Sequence, residues 1–387
     1  MEVIHRMSVV LIWRSAGPYH LARAVAAAQA LKPRNIRVVL VELSDQEATR
    51  DWIVDRSACG VEIRTLLKGK LDSRTPSMAP GMIQLLDELQ PRCVAVAGYD
   101  RTEMRAAVRW AGSHRAVSIL MSETKWDDNR RPWWKQMILR RWLRQIDAGL
   151  VSGGAAGEFL VAMGVGREKI FRHYGAVDNA YFTGGSDRLR ALPRPAGIPA
   201  GDYFVASSRL IESRKNLRRL IEAHAIYRRG IPRAWPLVIC GDGADRTMLE
   251  QHAQRQGDTD VIFAGFQQVD RLAAYYAFAG AFVHSAVNEA WGLVVNEAMA
   301  CGLPVLVSRR CGCAYDLVHE GVNGWTFDPA DPQAIAEQMR IVAALSPQQR
   351  QEMGQASRRI ISRFGPEQFA QGLCDAMRHI KKSVTAR

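Results

Sequence analysis

The sequence predicts an α/β protein made of two doubly wound parallel-sheet domains that face each other across a cleft. Short apolar runs recur along the chain, each followed by a helix-patterned stretch, and that alternation builds parallel sheets. The alternation lapses in a Gly/Pro-rich, weakly patterned segment and restarts near Tyr203. With 387 residues the chain is long enough for two or three domains with cores of their own. The predicted organisation is a first domain at 1–178, a connection at 179–200, a second domain at 201–362, and a final helix at 363–387 that packs back on the first domain.

In the first domain, strands are predicted at 8–13, 36–43, 61–66, 93–97, 116–121, 148–152 and 170–174, from their apolar β-branched content. Helices fall between them, the first an Ala-rich stretch entered through Pro18, a good first-turn residue. In the second domain, strands are predicted at 203–206, 237–240, 261–263, 281–283 and 305–307, with a turn and strand at 321–328. Pro332, Pro347 and Pro366 each open a helix. Ligands of such sheets bind beyond the carboxyl ends of the strands. That rule directs attention to Gly17 and His20 after the first strand and to Ser122-Glu123 after the fifth. Gly17 lets a backbone approach a phosphate or sugar closely. His20 either serves the site or caps the first helical turn.

The net charge is +13, of which residues 1–178 carry +8 (27 Lys/Arg against 19 Asp/Glu), so anionic partners suit the chain. The seven scattered cysteines include Cys311-Gly-Cys313 but no CxxC and no zinc spacing, which predicts reduced thiols and a cytoplasmic setting. The start has no apolar h-region with a cleavage site, so it reads as a strand. No apolar run approaches the roughly 20 residues needed to span a bilayer.

Residues 122–146 are the most unusual part of the first half. After Pro132, the spacing of Trp133, Trp134, Met137, Ile138, Trp142, Leu143 and Ile146 predicts one broad apolar helix face. Arg130, Arg131, Lys135, Arg140, Arg141 and Arg144 supply six cations, with no acid from Asn129 to Ile146. Two readings fit: a peripheral contact with an anionic membrane, on the cytoplasmic face of an inner membrane, or a core helix with a solvated cationic face.

The second domain is organised around residues 288–304. Gly292 is placed to open a helix, and Gly302 with Pro304 to end it. Glu289 falls in the loop before that helix and Glu297 about a turn and a half into it. Free amides at a helix N-terminus favour an anion, and carboxylates beside a phosphate suit hydroxyls instead. Amides for a diphosphate and glutamates for the surrounding sugar hydroxyls is one reading; an ordinary surface carboxylate and a helix glutamate is the other. Arg209 and Lys215, on a strand-end loop of the same domain, add two cations for a diphosphate clamp. Gly241-Asp-Gly243 lacks the third glycine of a dinucleotide fingerprint. Asp258-Thr-Asp260 resembles a DxD metal motif but precedes a strand, and reads as a solvated turn. Gly312 to Tyr315 can present backbone amides at a strand end. No cofactor and no metal are expected, and no nucleic-acid-binding motif stands out.

Taken together, Ser208-Arg209-Leu210, Lys215-Asn216, Gly241-Asp242-Gly243, Gly265-Phe266 and Glu289-x7-Glu297 followed by Ala298-Met-Ala-Cys-Gly-Leu-Pro304 resemble the GT-B retaining glycosyltransferases of family 4 type. The likeness is strong over about 203–345 and holds in outline only before that. It implies a GT-B fold and a metal-independent hexosyltransferase. Such an enzyme moves a sugar from a UDP- or GDP-sugar to a saccharide or polyprenyl-linked acceptor in cell-surface polysaccharide assembly. It implies that Arg209 and Lys215 hold the donor diphosphate, that Glu289 contacts the transferred sugar, and that Glu297 binds ribose hydroxyls. Gly292, Leu293, Gly241, Phe266 and Gly17 would line the donor site. Ala290 stands where glycine is common in the family, and His284 where proline is usual. Ser122-Glu123 stands where a catalytic-domain histidine is common, leaving Glu123 or His20 to take part of its acceptor-side role. An epimerase on the same fold and a non-catalytic nucleotide-sugar-binding protein remain alternatives; product analysis without an acceptor separates the first, and donor turnover excludes the second.

Overall fold

A computed structural model describes residues 7–46, 56, 59–72, 74–128 and 131–385. Met1 to Arg6, at the start read above as a strand, and Arg130, among the six cations, lie outside the described residues. The chain divides into two compact units: residues 1–177 with 365–387, and residues 178–364.

The first unit runs β1 (Ser8–Trp13), α1 (Pro18–Leu31), β2 (Arg37–Gln46), β3 (Glu62–Lys70), α2 (Ala79–Leu89), β4 (Cys93–Ala97), α3 (Thr102–Ser113), β5 (Val117–Ser122), α4 (Trp133–Leu143), β6 (Ala148–Val151), α5 (Gly154–Ala162) and β7 (Ile170–Phe171). The second runs α6 (Asn179–Arg190), β8 (Phe204–Ser207), α7 (Glu212–Lys215), α8 (Leu217–Arg228), β9 (Leu237–Cys240), α9 (Arg246–Arg255), β10 (Val261–Gly265), α10 (Val269–Ala277), β11 (Ala281–His284), α11 (Leu293–Ala300), β12 (Val305–Ser308), α12 (Ala314–Leu317), β13 (Gly324–Phe327), α13 (Pro332–Ala344) and α14 (Pro347–Ile361). The closing helix, α15 (Pro366–Thr385), packs against α1 in the first unit.

Both sheets are parallel throughout. The first is ordered β3-β2-β1-β4-β5-β6-β7 and the second β10-β9-β8-β11-β12-β13. Both therefore reverse direction beside their first strand, and each has its switch point there: β1 against β4, and β8 against β11. A crevice outside the carboxyl ends at a switch point is where such sheets take ligands.

The central strands are apolar along their length because helices cover both faces, whereas the edge strand β3 carries Glu62, Arg64, Lys68 and Lys70. In β1, Val10 and Ile12 enter one core, while Val9, Leu11 and Trp13 enter the other. The cores follow directly from the two-residue period of a strand.

The segment 179–200 departs from its reading as a patternless connection, because its first twelve residues are α6. Gly184 and Gly185 weaken its intrinsic propensity, and tertiary contacts hold it instead. Thr183 Oγ1 donates to Ala300 O at 2.9 Å, Arg190 Nε to Ala277 O at 2.8 Å, and Asp178 accepts from Tyr181 N–H at 2.9 Å as the N-cap.

The α4 helix also departs from expectation. Leu139, Trp142 and Leu143 enter the core together with Ile146, which lies beyond the helix end. Trp133, Trp134, Met137 and Ile138 lie on the outside, with Trp133 73% and Ile138 62% exposed. The helix has two apolar faces rather than one.

The α14 helix touches the turn after α11 backbone to backbone. A Cβ at Gly354 would sit 2.0 Å from Gly302 O. Helix propensity alone would favour alanine there by about 1 kcal/mol; the clash reverses the sign. Gly354→Ala is expected to lower the melting temperature by several degrees, and an unchanged or higher value would show that α14 does not pack this closely.

Candidate functional site

The residues singled out in the second unit sit on the strand-end loops or on the helices those loops lead into, Lys215 at the end of α7 and Glu297 within α11. Arg209 follows β8, Gly241 follows β9, Phe266 follows β10, and Glu289, Gly292 and Leu293 follow β11. The loops are held together by backbone contacts that leave no room for side chains. A Cβ at Gly241, whose φ is +142°, would lie 1.8 Å from Ser208 O, and one at Gly243 would lie 2.5 Å from Leu210 O. These glycines bring the β9 loop against Ser208-Arg209-Leu210, where Leu210 N–H donates to Asp242 O at 2.9 Å. Arg209 is half-buried on that loop and Phe266 is partly exposed.

Lys215 reaches Glu289 because α7 is stitched to the loop after β11. Val287 N–H donates to Arg214 O at 2.9 Å, and Ser285 Oγ to Lys215 O at 2.9 Å. Asn216, in the left-handed conformation at φ +57°, ends α7 and opens α8. Asparagine tolerates that conformation. Its buried Nδ2 donates to Ser285 O at 3.2 Å and Pro329 O at 2.7 Å.

The result is an ion pair between Lys215 Nζ and Glu289 Oε2. The same carboxylate oxygen lies 3.3 Å from Nε2 of His284, which is 3% exposed. Burial pushes the Glu289 carboxyl up, but the His284 contact and the Lys215 charge outweigh it and hold the group well below the usual carboxylate range. Burial likewise opposes charge on His284, yet its contacts with Cys311 and Glu289 raise it to about 9. Glu289 is thus an anion flanked by two cations at neutral pH.

Next to it, Gly292 caps α11 at φ +108°, and Leu293 is the first helical residue, so its amide belongs to the unpaired first turn. Glu297 lies further along α11, 1% exposed, and accepts from Tyr276 Oη at 2.9 Å.

The Gly312–Tyr315 amides do not all point outward. Gly312 N–H is bonded to Glu289 O at 3.0 Å and Cys313 N–H to Trp291 O at 3.0 Å. They brace the Glu289 loop from β12. Nor is Asp258 solvated: it is buried, and it accepts from His224 Nδ1 and Arg228 Nη1 at 2.6 Å each, while Arg228 also pairs with Asp260 at 2.6 Å. Among the described residues no group of three or more His, Cys, Asp or Glu is arranged to hold a metal ion.

In the first unit, Gly17 caps α1, and its N–H donates to His20 Nδ1 at 3.0 Å. The His20 ring lies 5.1 Å from that of Trp13, whose Nε1 donates to Tyr174 Oη at 3.1 Å. Buried Arg23 lies over the same tyrosine at 4.8 Å. Glu123 accepts from Ser152 Oγ at 3.3 Å, and its charge is felt at Tyr174. His20 thus packs against the Trp13–Tyr174 pair, and Glu123 lies close enough for its charge to act on Tyr174. Sequence reasoning missed Tyr174 and Arg23 and gave no role of their own to His284 and Asn216, which it named; the available signals were an arginine inside the Ala-rich stretch and an asparagine between two helical runs.

Two like-ordered α/β units, each built on a doubly wound parallel sheet, define a GT-B architecture, and the second presents cations and a helix N-terminus at its switch point. Residues 190–360 match the family described as glycosyl transferases group 1. The D-inositol 3-phosphate glycosyltransferase of Salinispora arenicola is 34% identical over 214 residues, covering 51% of this chain and 47% of that protein. The serotype-specific mannosyltransferase WbdA of Escherichia coli is 27% identical over 198 residues, covering 49% of this chain and 23% of WbdA. The chain thus spans about a quarter to a half of the length of these curated relatives. The fold matches Anabaena HepE, crystallised with UDP and glucose, at a TM-score of 0.71 and 17% identity, covering 96% of this chain and 99% of HepE. It also matches sucrose-phosphate synthase from Thermosynechococcus elongatus at a TM-score of 0.73 and 17% identity, covering 98% and 100%.

Linkage gives the acid side a sign. A carboxyl whose folded value is depressed contributes stability above its unfolded value, here 4.5, and loses it as pH falls. His284, raised well above that range, stays cationic throughout it. The melting-temperature advantage of the native chain over Glu289→Gln is expected to shrink between pH 5 and pH 3; a constant gap would show that Glu289 is not held by charge.

Proposed function

We propose that the chain is a retaining glycosyltransferase that moves a sugar from a UDP- or GDP-sugar to a saccharide or polyprenyl-linked acceptor in cell-surface polysaccharide assembly, without a metal ion. The carrying observation is the Lys215–Glu289 pair against the N-terminus of α11, inside the segment that matches the family. The relatives named as a mannosyltransferase and as a D-inositol 3-phosphate glycosyltransferase, and the neighbour crystallised with UDP and glucose, support a nucleotide-sugar donor.

The chemistry follows from charge. As the glycosidic bond breaks, negative charge grows on the departing diphosphate. Arg209, Lys215 and the Leu293 amide supply positive charge and donors there. In a retaining transfer the acceptor hydroxyl approaches on the same face, and the leaving phosphate oxygen takes its proton, so no strong protein base is needed. Glu289, kept ionised by Lys215 and His284, accepts from hydroxyls of the transferred sugar. Glu297, oriented by Tyr276, takes the ribose hydroxyls. Gly241 and Phe266 border the nucleotide side, while Gly17, His20 and Glu123 form the candidate groups of the first unit. Lys215→Ala is expected to lower turnover by about 10²–10³-fold, measured on a panel of nucleotide sugars with the product anomer read by NMR. Near-normal turnover, or an inverted anomer, would sink the proposal.

We further propose that the outer face of α4 rests on an anionic membrane at the cytoplasmic side. The exposed Trp133, Trp134, Met137 and Ile138 support an interfacial contact, with Arg131, Lys135, Arg140 and Arg141 beside them. Among the described residues no helix is long and apolar enough to cross a membrane. In flotation with phosphatidylglycerol vesicles, Trp133→Ser/Trp134→Ser/Arg141→Ser is expected to bind at least about tenfold more weakly than the native chain. Equal flotation of the two would end the idea.

A further inference from the structure

Cys311 and Cys313 flank the turn after β12, buried, with Sγ atoms 3.5 Å apart. The reaction above uses neither. Their surroundings differ from those of the other buried thiols. Burial pushes Cys93, Cys240, Cys301 and Cys374 up and keeps them neutral. Burial acts on Cys311 too, but donors from Cys313 and His284 outweigh it and hold that thiol below its ordinary value, while Cys313 is raised. Behind the His284 imidazole stands Glu289 at 3.3 Å. The order carboxylate, imidazole, thiol is an arrangement that activates a sulfur nucleophile.

This turn is also locked to the Glu289 loop. Glu289 and Cys311 form a parallel bridge, and Gly312 and Cys313 donate to Glu289 O and Trp291 O. As a thiol, Cys311 donates to Trp291 O at 2.8 Å. There is no slack: a Cβ at Gly312 would lie 1.7 Å from Ala290 O, and one at Gly292 would lie 2.7 Å from Cys311 Sγ.

We propose that Cys311 and Cys313 are a redox site at which a hydroperoxide closes an intramolecular disulfide, and that closing it displaces the loop carrying Glu289 and Gly292. The Cys311 thiolate attacks one peroxide oxygen and the O–O bond breaks. The sulfur becomes a sulfenic acid, and the departing hydroxide takes a proton from the His284 imidazolium to leave as water. Cys313 sulfur then attacks the sulfenic sulfur, and the S–O bond breaks. The Cys313 proton leaves with that oxygen as a second water. Two thiols and one hydrogen peroxide give one disulfide and two waters. A disulfide bond is about 2.05 Å long, so the sulfurs must approach by about 1.5 Å (3.5 less 2.05) from their present separation. The Cys311 bond to Trp291 O is given up when the thiol ionises, and the disulfide prevents its return. A ring spanning only one residue is strained, which makes the bond readily reducible and the change reversible.

The redox site stands independently of the transferase reading; its effect on a sugar donor rests on that reading. The test treats the full chain with one equivalent of hydrogen peroxide, then follows intact mass, peptide mapping, hydrogen exchange over residues 287–296, and UDP binding by calorimetry. Expected are a loss of about 2 Da, a Cys311–Cys313 linked peptide, several-fold faster exchange in the loop, and UDP binding weakened about tenfold, all restored by dithiothreitol. Cys313→Ser is expected to trap Cys311 as a dimedone adduct and to show no loss of 2 Da. Oxidation of other cysteines before this pair, or a disulfide that leaves loop exchange unchanged, would overturn the proposal. If untreated chain fails to bind UDP, the donor reading falls, while mass and exchange still decide the redox site.

Discussion

A carboxylate drawn out of water must be met by opposite charge, and Glu289 is that constraint in the second unit. Leaving one unpaired inside a protein costs several kcal/mol. Two cations from different elements answer it: Lys215 from the end of α7 and His284 from the end of β11. Much of the surrounding geometry keeps those three groups in register. Asn216 adopts a left-handed conformation to turn the chain between two helices, and Val287 N–H bonded to Arg214 O with Ser285 Oγ bonded to Lys215 O ties α7 to the loop. The arrangement is also primed for anions. Lys215 answers the Glu289 charge while His284 also faces Cys311, and the group adjoins the amides of α11, where the helix dipole favours an anion.

The glycines of this unit serve backbone proximity. Gly241-Asp-Gly243 invites comparison with a dinucleotide fingerprint, yet its glycines face the carbonyls of Ser208 and Leu210 rather than a helix start. Gly312 similarly lets the β12 turn close on Ala290. Strand-end loops bear functional side chains accurately only if their backbones are fixed, and here they are fixed by direct contact. The residues that matter to a ligand and those that hold the loops are therefore neighbours in sequence, which is why the motif stretches are so dense.

That density made some features readable from sequence and hid others. Buried parallel strands announce themselves as apolar runs, and β1, β4 and β9 fall where such runs lie. The helix opened by Gly292 was legible because a glycine between a loop and an apolar run has few other uses. The pairing of Lys215 with Glu289 was foreshadowed only as shared membership of one strand-end region. His284 registered as a departure from a family pattern and nothing more, because its role depends on a partner five residues on and another twenty-seven residues on. Asp258 read as solvated because its partners, His224 and Arg228, come from a helix one strand earlier. In α4 the composition was plain but the faces were not. Tryptophans at Trp133, Trp134 and Trp142 look alike in a sequence, and only packing separates the buried one from the exposed two. The connection at 179–200 concealed a helix because tertiary bonds overrode two glycines.

The two units share a strand order but not a chemistry, and the difference says where function resides. At the β8–β11 switch point the side chains are ionic, and the loops between them are braced by backbone bonds. In the first unit the equivalent region holds Trp13, Tyr174 and Arg23 in a buried aromatic–cation cluster, with His20 and Glu123 at its margin. A buried aromatic set of this kind gives shape and a few directed donors, which suits recognition of neutral hydroxylated surfaces better than of phosphates. One topology has thus been given a charged end and an aromatic one. A fold that only positions loops leaves their chemistry free to diverge in this way.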